Sequence, residues 1–335
     1  MQRTRMRRLP QAAVATTALA LAAAACGSAP ASSNASSSGS KSYTFELITK
    51  SSASPYWLAV KQGADAAAAK LKNVTVKFEA PSSGTDLSAQ INMVNEAVVA
   101  HVNGIILAAQ SPSGLLAPVN NAQAKGVPVI TVDSGVSPNV AKSFLATSNV
   151  GSAAALAKYT AKLAGGHGQY GIIDFNEVSS TGIARPKGFK QGMASFAGFS
   201  YVGQQISNND VGTARSEASA MMQAHPGMNL IFGANDRSAL GVAEAAQAAG
   251  RKIVVAGFDA DLGEINYIKS GVISASVLQY PYQMGYQAVT EMVDVMHHKA
   301  VPKRVDTPYM IVTKSNVNTA AAIKAIQQYI PTYKG

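Results

Sequence analysis

The chain has 335 residues, of which 47% are hydrophobic and 14% charged, so it is too apolar for a disordered protein and long enough for two folded lobes. Its single cysteine excludes a disulfide framework and any metal site made of several cysteines. The net charge of +10 suggests nucleic acid or an anionic membrane as a partner, an interpretation that depends on where the basic residues lie.

The N-terminal segment is typical of a secretory signal peptide. A basic start leads into the alanine-rich apolar run 12–25 and then to Cys26. This run is shorter than the roughly 20 residues that span a bilayer. The segment LALAAAAC resembles a bacterial lipobox, in which a cysteine after small residues is lipidated, although Ala23 stands where a larger aliphatic residue is usual. We expect a signal peptide over 1–25 and a lipid on Cys26, with a free thiol in a cleaved signal as the alternative.

The charge and the next segment agree with an exported protein. Residues 1–25 hold four arginines and no acid, which leaves 24 basic and 18 acidic residues scattered over the rest of the chain, so nucleic acid is not expected as a partner. Serine-rich residues 27–42 contain nothing that could build a core. With Cys26 they predict a lipid-anchored tether over 26–42, which holds the folded part at the cell membrane, facing the periplasm or the outer surface.

From Tyr43 onward, short β-rich runs alternate with alanine-rich helical runs. The predicted strands are 43–49, 74–79, 104–109, 127–132, 170–175, 200–206, 229–233, 252–258, 273–278 and 306–312. The predicted helices are 56–71, 86–101, 113–125, 151–164, 185–196, 213–224, 235–249, 261–269, 282–298 and 316–328. This alternation predicts an α/β fold with parallel sheets.

An internal repeat predicts two lobes of the same design. KQGADAAAAKL at 61–71 matches KQGMASFAG at 190–198, and GIILAAQSPSGL matches NLIFGANDRSAL further along. The repeat pairs Gln110 with Asn235, Asp133 with Asp259 and Tyr56 with Arg185. Each of these is expected at or just after the carboxyl end of a strand, where ligands bind in open α/β sheets. Two polar rims are therefore expected to face each other across a cleft.

The residue types at these rims suit a polyhydroxy ligand. Tyr56 and the only tryptophan, Trp57, offer aromatic faces for the C–H faces of sugars, whereas Asp, Asn, Gln and Arg suit hydroxyl groups. Each also has a purely structural interpretation. The aromatic pair could anchor the core, Asp133 and Asp259 could be turn or cap residues, and Arg185 could lie in solvent.

The chain after Tyr43 resembles the ribose-binding-protein-like, type I periplasmic binding proteins of ABC sugar importers. The motifs that carry the resemblance are KSSASPYW, GIILAAQSPSGL, GVPVITVDSG, ATSNVG, IARPKGFKQG, GANDRSALG, VVAGFDA and VLQYPYQMGY. The resemblance implies two similar Rossmann-like lobes joined by a hinge of three chain crossings. The N-terminal lobe would comprise 43–147 with 280–306, and the C-terminal lobe 148–279 with 307–330.

The resemblance also implies roles for single residues. Tyr56 and Trp57 match rings that stack on the sugar, Phe258 matches a lining residue, and the polar residues match positions that bind hydroxyl groups. The expected ligand-binding residues are Lys50, Ser54, Tyr56, Trp57, Gln110, Asp133, Arg185, Asn209, Asn235, Phe258, Asp259 and Gln279. Arg185 is expected at the start of a helix of the second lobe.

Two departures from the family pattern concern the ligand. Ala108 stands where ribose binders have asparagine, and Asn209 or Asp210 stands where a second-lobe aromatic is common, which predicts a missing stacking surface. Lys50 followed by PYW resembles a subgroup that binds pentoses and acyclic polyols. The expected ligand is therefore a sugar or polyol, not ribose in particular.

The resemblance implies a monomeric solute-binding protein that delivers its ligand to an ABC transporter permease, without a cofactor or metal. The alternatives are a sugar-sensing lipoprotein for a signalling partner and a binder of a non-sugar molecule. An enzyme is not expected, because the chain has no G-x-S-x-G, P-loop or H-E-x-x-H motif. A sugar-responsive repressor would carry a helix-turn-helix where this chain has its signal and tether.

Overall fold

The computed structural model describes residues 41–335 except positions 53, 83, 85 and 260. The predicted signal peptide, Cys26 and most of the predicted tether lie outside the described residues. Among the helices of the described part, none has the length and hydropathy needed to cross a membrane.

Twelve strands and ten helices occur in these residues. The strands are β1 (Tyr43–Ile48), β2 (Val74–Glu79), β3 (Gly104–Leu107), β4 (Val129–Val132), β5 (Phe144–Thr147), β6 (His167–Asp174), β7 (Gly198–Ile206), β8 (Met228–Gly233), β9 (Val254–Phe258), β10 (Ile273–Leu278), β11 (Val305–Thr307) and β12 (Met310–Thr313). The helices are α1 (Pro55–Leu71), α2 (Leu87–Val99), α3 (Leu116–Ala124), α4 (Asn149–Leu163), α5 (Ser180–Met193), α6 (Val211–Ala224), α7 (Asp236–Ala249), α8 (Leu262–Ser270), α9 (Pro281–Met296) and α10 (Ala320–Ile326).

The strands form two six-stranded sheets with the same order of equivalent strands. The first runs β11-β5-β4-β3-β1-β2 and the second β12-β10-β9-β8-β6-β7. Every pairing is parallel except that of β12, which runs antiparallel to β10. The predicted α/β fold with two lobes of one design is thus confirmed, with one antiparallel edge strand added.

Burial explains why these segments form strands. All residues of β3 and β4 are buried, as expected of central parallel strands covered on both faces. At the edge of the first sheet, β2 alternates between half-buried and exposed residues, which is the pattern of a strand with one face in solvent. The core therefore lies against both faces of each sheet.

The chain passes between the two sheets three times. It leaves the first sheet after Thr147, returns between Leu278 and Pro281 so that α9 packs against α1, and crosses again between β11 and β12. Thr307 pairs with Thr147 in the first sheet, and the hydroxyls of these two threonines lie 3.3 Å apart. The last crossing therefore lies at 308–309, and placing Thr307 in the second lobe was wrong.

Three local predictions needed correction. Residues 306–312 form two strands instead of one, because Pro308 has no N–H for a ladder and the chain changes sheet there. The short strand β5 carries no alternation in its sequence and was missed. Helix α5 begins five residues before Arg185, because the Ser179 hydroxyl caps it by accepting from Gly182 N at 3.1 Å. Arg185 therefore lies inside this helix and not at its start.

Candidate functional site

A cavity of about 90 Å³ lies between the carboxyl ends of the two sheets. The first lobe contributes Lys50, Ser51, Ser54, Tyr56, Trp57, Gly84 and Asp133 to its lining. The second lobe contributes Phe175, Asn176, Thr181, Arg185, Asn209, Asn235, Asp236, Arg237 and Asp259. Because one water requires roughly 10–15 Å³ of such volume, the space suits a small molecule and not a polymer.

Lys50 follows β1 and is almost fully buried. Its ammonium donates to Asp133 Oδ2 at 3.3 Å and, across the cleft, to Thr181 Oγ1 at 3.3 Å. It also lies 5.7 Å from the centre of the Trp57 ring. Burial lowers the pKa of Lys50, and the nearby Asp133 carboxylate opposes this shift. Lys50 thus joins the two lobes through one charged group.

Asp133 follows β4 in a left-handed conformation, with a φ of 60°. Its backbone N–H donates to Leu145 O of β5 at 2.8 Å, which fixes the turn. Both carboxylate oxygens have donors, since the Tyr56 hydroxyl lies 3.1 Å from Oδ1 and Lys50 donates to Oδ2. The carboxylate is therefore held in one orientation at the cavity wall.

Asp259 is the equivalent of Asp133 in the second lobe and has the same backbone geometry. Its φ is 82°, and its N–H donates to Val277 O of β10 at 2.7 Å. Gln279 Nε2 donates to Oδ1 at 2.5 Å, and Arg185 lies 3.4 Å from Oδ2. Burial raises the pKa of Asp259, and the Arg185 charge opposes this. The predicted pairing of the two aspartates therefore extends to conformation and contacts.

The Arg185 guanidinium is held in place by hydrogen bonds and by an aromatic ring. Its Nε donates to Asn149 Oδ1 and one terminal nitrogen donates to Ala234 O, both at 2.9 Å. The Phe258 ring lies 3.8 Å from the guanidinium carbon. Phe258 is fully buried and absent from the cavity lining. Its predicted lining role is corrected, because Arg185 lies between this ring and the cavity.

Aromatic rings reach the cavity from both lobes. Tyr56 and Trp57 meet edge to face at 4.8 Å between ring centres. Phe175 lines the cavity from the second lobe, where the sequence predicted that a stacking surface would be missing. Phe175 follows β6 as Lys50 follows β1, at the 125-residue offset that also separates Gln110 from Asn235. Extending the repeat to the first strand of each lobe would have identified this ring.

The two predicted asparagines bond to each other. Asn235 Nδ2 donates to Asn209 Oδ1 at 2.7 Å, while Asn235 Oδ1 caps α7 by accepting from Ser238 N. Asp236, which is not among the predicted residues, lies beside them in the cavity wall. Burial, together with the charges of Asp259 and Asp261, raises the pKa of Asp236 to about 7.

Three predicted residues do not line the cavity. Gln110 Nε2 donates to Lys50 O at 3.2 Å, Gln279 holds Asp259, and Phe258 lies behind Arg185. Ser54 does line it, at the start of α1. The lining residues that were not predicted are Ser51, Gly84, Phe175, Asn176, Thr181, Asp236 and Arg237. Apart from Phe175, which of these residues reach the cavity depends on the geometry of loops and helix starts, which no periodicity in the sequence encodes.

The cavity offers paired charges, amides, hydroxyls and aromatic faces in a small volume. Lys50 and Arg185 are each matched by a carboxylate at 3.3 Å and 3.4 Å. Such pairs can donate to and accept from the hydroxyl groups of one neutral ligand. Among the described residues, no three His, Cys, Asp or Glu side chains form a metal-binding group.

Known proteins resemble this chain in sequence and fold. Residues 45–300 match the model of the periplasmic binding protein domain family. The ribose import binding protein of Bacillus subtilis (strain 168) is 25% identical over 274 residues, which are 82% of this chain and 88% of that protein.

Two solved structures are similar along their lengths. An ABC transporter solute binding protein from Agrobacterium vitis with bound D-fucose is 31% identical, with a TM-score of 0.80 over 83% of this chain and 98% of that one. A carbohydrate transporter solute binding protein from Agrobacterium radiobacter, in complex with D-arabinose, is 29% identical, with a TM-score of 0.81 over 85% of this chain and 99% of that one. The similarity therefore covers both lobes and the crossings between them.

Proposed function

The chain belongs to the periplasmic binding protein domain family, and from this we propose that it captures a monosaccharide or polyol between its lobes and delivers it to an ABC transporter permease. The relatives named above are a ribose import protein and solute binding proteins with D-fucose and D-arabinose. They support a single sugar as the ligand. The chain carries out no reaction in this proposal and needs no cofactor.

The observation that carries the proposal is the matched pair of carboxylates. Asp133 and Asp259 project from equivalent turns of the two lobes, and each is held by two donors at the wall of one small cavity. A ligand with several hydroxyl groups can accept from the cationic partners and donate to the carboxylates. A ligand that lacks one of these hydroxyls leaves a buried charged group without its full set of partners, which lowers its affinity.

Closure of the lobes would complete the site. Lys50 and Asp133 belong to the first lobe, whereas Thr181, Arg185 and Asp259 belong to the second. A ligand that contacts both sets binds the closed form more tightly than the open form, and so shifts the equilibrium towards closure by that difference in affinity. The closed form is then the one that the permease would recognise.

The ligand class follows from the lining. The cavity wall includes rings from both lobes, with Tyr56 and Trp57 on one side and Phe175 on the other, which favours a cyclic sugar with two apolar faces. Ala108, which stands where ribose binders have asparagine, does not line the cavity. The cavity therefore lacks the amide group that ribose binders have at this position. We therefore place pentoses and 6-deoxyhexoses ahead of acyclic polyols as ligands.

Export and anchoring are part of the proposal. The segment before Tyr43 would direct secretion and then hold the monomeric protein at the membrane through a lipid on Cys26. A Cys26→Ala chain should lose membrane attachment and appear in the soluble extracytoplasmic fraction, as followed by fractionation and immunoblotting. A Cys26→Ala chain that stays in the membrane fraction would contradict the lipid anchor.

Thermal unfolding in the presence of single sugars tests the function. A panel of pentoses, hexoses and C4–C6 polyols should contain at least one compound that raises the unfolding midpoint, because a ligand at 100 times its Kd stabilises the folded state by about 2.7 kcal/mol. Isothermal titration should then give one site per chain. A shift with nucleosides or amino acids, and none with any sugar or polyol, would refute the proposed ligand class.

A further inference from the structure

The end of the chain passes behind the cleft, at the crossings between the lobes. Helix α10 packs against β12 of the second sheet, and Tyr329 and Tyr333 follow it. Both tyrosines are buried, with 6% and 8% of their surface exposed.

Tyr329 touches two elements that serve the cavity. Its hydroxyl oxygen accepts from Gln279 N at 2.9 Å, at the crossing between β10 and α9. Its ring lies 5.9 Å from that of Tyr56 in the first lobe, centre to centre. One side chain thus contacts both the hinge and an aromatic residue of the cavity wall.

Each neighbour of Tyr329 holds one of the two central carboxylates. The Gln279 side chain donates to Asp259, and the Tyr56 hydroxyl is hydrogen-bonded to Asp133. Gln279 is fully buried, so its backbone N–H would lose its partner if the Tyr329 hydroxyl were removed. Any shift of this crossing displaces the Gln279 side chain and, with it, the orientation of Asp259.

We propose that Tyr329 is a positioning residue that sets the relative placement of Asp133 and Asp259 in the closed cleft, through Tyr56 and the hinge at Gln279. It does not touch the cavity itself. This inference rests on the proposed function in one respect, namely that the ligand binds in the cleft between these two carboxylates. It predicts that the hydroxyl of a residue outside the cavity controls both closure and affinity.

The test compares Tyr329→Phe with Tyr333→Phe. Each change removes one buried hydroxyl, and that of Tyr333 has no hydrogen-bond partner within the described part of the chain. Trp57, the only tryptophan, lies in the cavity wall and is 7% exposed, so acrylamide quenching of its fluorescence reports cleft opening without any ligand. Tyr329→Phe should raise the quenching constant at least about twofold, whereas Tyr333→Phe should leave it unchanged.

Affinity is the second measurement, with D-ribose, D-arabinose and D-fucose as titrants. We expect Tyr329→Phe to weaken binding of whichever sugar the unmodified chain binds by about tenfold, and Tyr333→Phe to leave it unchanged. Equal quenching and equal affinity in the two variants would overturn the proposal. So would loss of the native circular dichroism spectrum in Tyr329→Phe, because the hydroxyl would then support the whole fold. If no sugar binds the unmodified chain, the proposed function fails, yet the quenching comparison still decides the role of Tyr329.

Discussion

At the scale of single residues, the two central aspartates combine a place in the cavity wall with an unusual backbone. Asp133 and Asp259 both have positive φ values, a region that Asp and Asn enter more readily than other residues with a side chain. This conformation turns each carboxylate from the end of its strand towards the cavity. The same residue type therefore suits both the turn and the cavity wall, and the structural interpretation of these residues does not exclude the proposed functional one.

Substitutions of Asp259 can separate these two roles. Asp259→Asn keeps a side chain that tolerates a positive φ but loses the charge facing Arg185, whereas Asp259→Ala loses both. We expect both variants to bind sugar about 10–100-fold more weakly, since hydrogen bonds to charged groups contribute about 1.5–3 kcal/mol. The Ala variant should be less stable than the Asn variant by about 1 kcal/mol, as measured by urea unfolding.

Asp65→Asn is the control for this comparison, because Asp65 pairs with Lys61 on the surface of α1, away from the cavity. It should leave sugar affinity unchanged in isothermal titration. Full affinity in both Asp259 variants would remove this residue from the site.

Single residues also show where sequence reasoning succeeds and where it stops. Asp133, Asp259 and Arg185 were predictable because the internal repeat and the family motifs both mark them. Thr181 was not, because its contact with Lys50 joins residues 131 positions apart and depends on how the lobes meet. Phe258 was assigned to the lining because it matches a lining residue of the family, and a match of sequence does not show which side chain lies between a residue and a cavity.

At the scale of elements, helices α1 and α9 pack unusually closely. A Cβ added to Gly63 would lie 1.9 Å from Tyr282 O, and one added to Gly285 would lie 1.9 Å from Val60 O. Each helix thus presents a glycine to the other's backbone. Because α1 carries Tyr56 and Trp57 at its start, this contact also fixes the first-lobe side of the cavity.

Gly63→Ala tests this packing. The added methyl group has no space, so the two helices must move apart, and we expect a loss of about 2 kcal/mol. This is the typical cost of overpacking, about 1–3 kcal/mol, acting against the better helix propensity of alanine. The measurement is the free energy of unfolding in urea.

Gln62→Ala is the matched control on the same helix, since Gln62 is exposed. It should change the free energy of unfolding by less than about 0.5 kcal/mol. A Gly63→Ala chain as stable as this control would show that the two helices can separate at no cost.

Elements were more predictable than their ends. The alternation of strands and helices follows from periodicity, which burial on the two faces of a sheet imposes. The four-residue strand β5 was missed because too few residues show a pattern. The predicted helix at 185–196 began too late, because α5 starts at Ser180 after its cap Ser179.

At the scale of the whole molecule, a set of acids with raised pKa values predicts how stability depends on pH. Burial raises the pKa values of Glu46, Asp174 and Asp236 to about 7, and that of Glu264 well above its usual range. Glu264 also has a geometric reason to be protonated. The Ser276 hydroxyl lies 2.6 Å from Glu264 Oε1 and 2.9 Å from Asp259 O. Because this hydroxyl can donate its one proton to only one of these oxygens, both hydrogen bonds form when it donates to Asp259 O and accepts from a protonated Glu264.

These shifts set the sign of the pH dependence. Between about pH 4 and pH 7 the unfolded chain has released these protons while the folded chain still holds them, so stability falls as pH rises through this window. We expect the unfolding midpoint to be higher at pH 5 than at pH 8. Circular dichroism melts at several pH values measure this directly.

Glu264→Gln should flatten the pH dependence, because the amide can donate to Ser276 at every pH. Glu96→Gln, at an exposed position on α2, is the control and should leave the slope unchanged. A chain that becomes more stable from pH 5 to pH 8 would contradict the assignment of these buried acids as protonated.

The three crossings also decide when each lobe can finish folding as the chain is synthesised. The first lobe begins at Tyr43, but its sheet gains its last strand, β11, only when residue 307 has been added. The second sheet gains β12 by residue 313. The two sheets therefore become complete within six residues of each other, although one starts more than a hundred residues earlier. Helix α9, which packs against α1, is itself complete only at residue 296. The first lobe therefore lacks its last helix and its last strand until late in synthesis.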